Sequence, residues 1–200
     1  MILAIDSATA ACSAALIEDG ELVAERHELV GRGHAERLVP MIGELLAGRR
    51  PEAILVDCGP GSFTGVRVGL AAAHGLAIGW HVPVAGFSSM AAVAAASGAD
   101  IVTVALQGGH GELFVQSYGG DPLAPLDALR SLAPGAAAAA ATAAPLVVGS
   151  GAQSLVAAGA PAVWRDALPR AADARLLPEA LRSLEPRPIY GRAPDARPGG

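Results

Sequence analysis

The chain has 200 residues, enough for one large domain or two small ones. Hydrophobic residues make up 52% and charged residues 16%, which excludes a disordered tail, and a net charge of −5 without a basic run excludes a large nucleic-acid surface of its own. All 14 basic side chains are arginine; the lack of lysine excludes a Walker A loop, a Schiff-base enzyme and a lysine-dependent kinase.

The N-terminal Ile2-Leu3-Ala4-Ile5 reads as a strand and Asp6-Ser7-Ala8-Thr9 as a tight turn. A second strand covers 12–17, and Asp19-Gly20 is a hairpin signal leading to a third strand over 22–29. Residues 34–47 place Leu38, Met41, Ile42, Leu45 and Leu46 at helical spacing, with Pro40 as a candidate kink. A buried strand over 53–57 runs into Gly59-Pro60-Gly61, which reads as a turn, and Ser62 or Thr64 caps a helix over 64–79. That helix carries Gly65, Gly69 and Ala73 on one stripe with Ala72, Gly75 and Gly79 beside it. Each interior glycine costs a helix about 0.5–1 kcal/mol relative to alanine, so several together call for close approach of another backbone. A short strand over 83–86 and a helix capped by Ser88 or Ser89 complete a first unit, residues 1–98. Three antiparallel strands followed by alternating elements predict a mixed sheet with helices on its faces.

Beyond a seam at 97–99, strands over 101–106 and 112–118 form a hairpin around residues 107–111. A helix is predicted near 125–132, and the alanine run over 133–144 reads as helix or linker. A strand over 146–148, a turn, a short helix over 152–158 and a helix over 172–184 complete a second, smaller unit, residues 99–185. Prolines keep 186–192 extended within a tail, 186–200, that frays at its end.

Cys12 and Cys58 are the only cysteines. With no basic leader segment and no apolar run of membrane-spanning length, the expectation is a cytoplasmic protein with reduced thiols. Asp6 and Thr9 are weak candidates for holding a phosphate in their turn; the plainer reading is a turn whose side chains satisfy backbone donors. Gly59, Gly61 and Gly65 resemble a dinucleotide fingerprint, but Phe87-Ser88-Ser89 stand where a ribose-binding acid is needed. His27, His34, His74, His81 and His110 include no pair at metal-ligand spacing. Ser62 is not in a nucleophile elbow, and no spacing among Glu36, Glu44, Asp57 and Glu112 singles out a carboxylate pair. No catalytic residue, metal ligand or cofactor is therefore predicted.

Taken together, Ile2 through Thr9, Cys12-Ser13-Ala14-Ala15-Leu16, the Gly59-Pro60-Gly61-Ser62-Phe63-Thr64-Gly65-Val66-Arg67 string, Phe87-Ser88-Ser89-Met90 and Pro188-Ile189-Tyr190-Gly191-Arg192 resemble the TsaB (YeaZ) family. The resemblance is dense over 1–118 and 186–192 and rests on element order between them. Gln107 and Gly109 depart from it, standing where the family often has Asp and Arg. The resemblance implies an actin-like (ASKHA, ribonuclease H-like) fold of two α/β lobes, the second shortened. It implies a non-catalytic subunit, a pseudo-enzyme, in formation of threonylcarbamoyladenosine beside the tRNA anticodon. The implied partners are the paralogue TsaD, which carries the chemistry, and the ATPase TsaE, with tRNA reached only through the complex. A homodimer is expected when the partner is absent. The alternatives are an active actin-like ATPase or kinase relative and an M22-type glycoprotease-like hydrolase. The two helices of the first lobe would form the pairing surface, through His34, Leu38, Met41, Ile42, Leu45, Gly65, Val68, Gly69, Ala72, Ala73, Gly75 and Leu76.

Overall fold

The first sheet is held from both sides, and the side-chain alternation of its strands dictates this. In β1 (Ile2–Asp6) and β4 (Ala53–Asp57), Leu3, Ile5, Ile54 and Val56 point to one face and Ala4 and Leu55 to the other. All are buried, as expected for strands covered on both faces. β2 (Ala11–Glu18) pairs antiparallel with β1, and β3 (Glu21–Leu29) antiparallel with β2. Between β2 and β3, Asp19 and Gly20 both adopt positive φ, 52° and 83°, the tight hairpin the Asp-Gly pair predicts. β4 and β5 (Val84–Phe87) extend the sheet in parallel, giving the order β3-β2-β1-β4-β5. One face is covered by α1 (His34–Leu46) and α2 (Phe63–Trp80). α1 runs through Pro40 without a break. The computed structural model describes residues 1–141 and 144–191.

The second sheet comprises β6 (Ile101–Gln107), β7 (Leu113–Gly119), β8 (Ala124–Pro125), β10 (Leu146–Val148) and β11 (Val163–Arg165), with β9 (Arg130–Leu132) also pairing β7. Its order is β11-β10-β6-β7-β8. α4 (Pro134–Ala140) and α5 (Ala152–Ala157) cover its outer face over Ala105, Leu113, Val115 and Val147. Its inner face, with Val102, Val104, Leu106 and Tyr118, joins the free face of the first sheet in one core. Between the two lie α3 (Ser89–Ser97), whose first six residues are all buried, on the second sheet, and a 3-10 turn, Ala171–Leu176, on the first. An apolar helix buried all round is one enclosed by both layers. Two lobes, each an α/β sandwich on a mixed sheet, give the two-lobed α/β architecture the resemblance implied.

Two expectations are corrected. The helix expected near 125–132 is instead the β8 and β9 edge: Leu126 N donates to Ser117 O at 2.8 Å and Val115 pairs with Arg130, so the segment satisfies the outer edge of β7. The helix expected over 172–184 splits at Pro178 into a 3-10 turn, Ala171–Leu176, and one helical turn, α6 (Glu179–Arg182). β11 was not anticipated; its three residues are too few to show a period. The alanine run forms α4, with 142–143 outside the described residues.

After the second sheet the chain returns to the first lobe. Arg170 pairs with Glu25, and Ala171 N donates to Ser13 Oγ at 2.9 Å. Leu184 and Gly86 exchange backbone hydrogen bonds of 3.0 and 2.7 Å, and Ile189 N donates to Cys58 O at 2.7 Å. The extended tail is thus stitched across the first lobe as far as Gly191; Arg192 and the residues expected to fray, 193–200, lie outside the described residues.

Candidate functional site

Two turns meet at the upper end of the first sheet. Asp6 Oδ1 accepts from Ala8 N at 3.1 Å, and Thr9 Oγ1 accepts from Ala11 N at 3.3 Å. Opposite them, Asp57 Oδ1 accepts from Gly59 N at 3.0 Å and from Ser89 N at 2.7 Å, fixing both the Gly-Pro-Gly turn and the start of α3. Ser62 caps α2, its Oγ accepting from Gly65 N at 3.3 Å. The two turns then join: Ser62 N donates to Ala8 O at 2.7 Å and Ser7 Oγ to Gly65 O at 2.9 Å. A Cβ on Gly61 or Gly65 would lie 2.2 Å from Ala8 O or 2.1 Å from Ser7 O, so glycine is required at both.

This packing seals Asp6, which is 1% exposed, beneath the chain's own backbone. Burial pushes its carboxyl up to about 7. Asp57 is raised well above the usual carboxylate range by burial and by the charge of Asp6. Burial likewise lifts the thiols of Cys12 and Cys58 to about 11 and about 12.

Above the turns, a cleft of about 1110 Å³ separates the lobes, walled by Thr9, Arg32, Phe63, Arg67, His110 and Tyr190 among others. Arg67 lies 3.3 Å over the Phe63 ring and donates to the Tyr190 hydroxyl at 2.9 Å, anchoring the tail at the rim. Of the phosphate candidates, Thr9 faces the cleft and Asp6 does not.

The surface of α1 and α2 differs from the surface expected. Gly65, Gly69 and Ala73 belong to the lobe's own core: Gly69 turns toward Ser7 Oγ, 2.6 Å from where a Cβ would sit. His34, Leu38, Met41, Ile42 and Leu45 are also interior, His34 with its Nε2 3.2 Å from Ala11 O. Among the named interface candidates, Gly75 is exposed and Val68, Ala72 and Leu76 are half-buried at the surface. They lie beside Ala71, Ile78 and Gly79 of α2, while α1 exposes Ala35, Val39 and Gly43. Ile78 is 75% exposed and Val39 52%. A Cβ on Gly43, Gly75 or Gly79 would meet nothing within 4 Å. The smooth face is therefore present, but on the outward side of α2 through Gly75 and Gly79 rather than on the inward Gly65–Gly69 stripe.

The carboxylate pair was missed because Asp6 and Asp57 are far apart in sequence. The signal was a repeated pattern: Ile-Leu-Ala-Ile-Asp and Ala-Ile-Leu-Val-Asp are both short apolar strands ending in aspartate. The histidines do not converge: His74 sits 3.3 Å from Pro186 O, and His81 takes the left-handed C-cap of α2. Among the described residues no three His, Cys, Asp or Glu side chains are grouped to hold a metal ion, and no helix is long and apolar enough to cross a membrane.

Comparison with known proteins agrees with the resemblance read from the motifs. The family model described as TsaD, tRNA N6-adenosine threonylcarbamoyltransferase, matches residues 25–158. The tRNA threonylcarbamoyladenosine biosynthesis protein TsaB of Escherichia coli K12 is 40% identical over 126 residues, 58% of this chain and 54% of that protein. The Haemophilus influenzae protein of the same name is 45% identical over 101 residues, 48% of this chain and 42% of that one. The matched region thus spans about half the length of these relatives. Among solved structures, YeaZ from Pseudomonas aeruginosa superposes with a TM-score of 0.82 at 29% identity, covering 94% of this chain and 98% of that chain. A P. aeruginosa protein with similarity to peptidase YEAZ gives 0.81 at 30% identity, covering 96% and 99%.

Proposed function

Since the chain belongs to the TsaB (YeaZ) family, within the wider group the TsaD model describes, we propose that it is a non-catalytic subunit of tRNA threonylcarbamoyladenosine biosynthesis. It scaffolds and activates a TsaD paralogue in the cytoplasm, with TsaE as a further partner and tRNA reached through the assembly. In this reading residues 1–98 form the docking lobe, 99–185 the smaller lobe and 186–200 a tail. The same docking face pairs two copies of the chain when TsaD is absent.

The observation that carries the proposal is the outer face of α1 and α2. Gly43, Gly75 and Gly79 stand inside helices with no neighbour of their own lobe, beside exposed Val39 and Ile78. Helix-interior glycines lower stability; open ones gain a purpose when another chain's helices pack closely on them. The sealing of Asp6 under the Gly61–Gly65 backbone supports a role without turnover.

The test uses Gly75→Leu, which has room on the free chain. Its melting temperature should stay within a few degrees of wild type while the complex with TsaD is lost on size exclusion. Reconstituted tRNA modification should need the wild-type chain and fail with the variant. An intact complex, or brisk ATP hydrolysis by this chain alone, would overturn the reading.

A further inference from the structure

β1 and β4 run parallel with Ile5 beside Val56, so the residues that follow, Asp6 and Asp57, end adjacent strands side by side. They are 1% and 2% exposed. Each uses Oδ1 to hold backbone amides: Ala8 for Asp6, Gly59 and Ser89 for Asp57. Each leaves Oδ2 buried without a hydrogen-bond partner among the described residues. A buried carboxylate oxygen with no donor is strongly unfavourable, and two beside each other are worse, because like charges in a dry site cannot both persist.

The amides of Ala8, Gly59 and Ser89 and the Ser89 hydroxyl favour the charged carboxylates, but burial outweighs them. Asp173, from the 3-10 turn, adds negative charge toward Asp6. The thiols of Cys12 on β2 and Cys58 after β4 are neutral across the neutral range. Beyond those donors, the titratable groups around the pair are a further acid and two neutral thiols. A proton held on the pair removes one charge and turns one of the buried oxygens into a donor.

We propose that Asp6 and Asp57 share a single proton, and that this proton locks the 6–9 turn to the 57–62 turn beneath the interlobe cleft. The pair then acts as one acid. The folded chain keeps the proton at a pH where the unfolded chain, with ordinary carboxyls near about 4, has released it. Stability from this source is complete below the unfolded carboxyl range and declines as pH rises through the raised, folded-state range around neutrality and above. The inference holds whether or not the outer face of α2 docks another chain.

Asp57→Asn tests it on the full chain. The carboxamide keeps an oxygen for Gly59 and Ser89 and offers a permanent N–H to Asp6. From about pH 6 to about pH 9 the wild-type melting temperature should fall by roughly 4–8 °C, while that of the variant stays nearly level. At neutral pH the infrared stretch of a protonated carboxylic acid should be present in the wild type and weakened or lost in the variant. Parallel pH slopes for the two proteins, or no protonated-carboxyl band in the wild type, would overturn the proposal. So would a Mg²⁺-dependent rise in wild-type melting temperature that Asp57→Asn abolishes, since a cation would then occupy the proton's place. If Asp57→Asn does not fold, Asp6→Asn takes its place and the wild-type infrared band decides.

Discussion

Gly65 and Gly75 lie ten positions apart on one helix, yet they answer to different neighbours. A Cβ at Gly65 would sit 2.1 Å from the Ser7 carbonyl oxygen, which is backbone and cannot turn away. Gly65→Ala should destabilise the chain by about 2–3 kcal/mol in urea unfolding. At Gly75 the same methyl meets nothing within 4 Å, so Gly75→Ala should stabilise the free chain by about 0.5–1 kcal/mol. Equal effects at the two positions would show that the helix face is assigned wrongly. The cysteines make a second residue-scale case. With burial lifting both thiols to about 11 and about 12, neither should react with an alkylating reagent near pH 8 until the chain unfolds. Mass spectrometry with and without denaturant checks this.

Elements were legible where the sequence carried a local physical signal. Asp19-Gly20 specified its hairpin because both positions take positive φ. Ser62 was one of two candidate caps, and its side chain holds Gly65 N. Ser62→Ala should lower stability by about 1 kcal/mol, with unchanged helix content by circular dichroism at low temperature. What stayed hidden was set by distant partners. β9 is a strand because β7 needs an edge partner, and no pattern within Arg130-Ser131-Leu132 says so. The run over 172–184 looked helical by its leucines, yet Pro178 removes a donor and forces Leu177 to an extended ψ of 137°. The same limit applied to the site. A stripe of small residues on α2 was readable, but which side faced inward depended on Ser7 and Ala8, which approach from another turn. Asp57 found its neighbour Asp6 only through the parallel pairing of β1 and β4.

Across the whole molecule the lobes share one interior. The core that joins Ala4, Ile17 and Phe87 of the first sheet to Val102, Leu106 and Val148 of the second passes through α3 and the 3-10 turn 171–176. Urea unfolding should therefore show one transition, with coincident midpoints for probes placed in either lobe; two separated transitions would contradict a common core. The tail adds to this unity. Deleting residues 184–200 removes the backbone exchange between Leu184 and Gly86, the Ile189–Cys58 bond and the Tyr190 anchor on Arg67. The truncated chain should melt at a clearly lower temperature, and limited proteolysis should reach the first lobe sooner.

α3 and the 3-10 turn 171–176 together form the wall between the layers, the helix on the second sheet and the turn on the first, with Met90, Ala91, Ala92, Val93 and Ala94 buried there. A jaw needs an axis, and here the place for that axis is filled with interlocked side chains. Swinging the halves apart would part α3 from the 3-10 turn 171–176 and expose the apolar side chains buried between them. A guest in the cleft would meet Phe63 and Tyr190 on its wall, and widening the cleft to admit a larger one would wet the interior both lobes share.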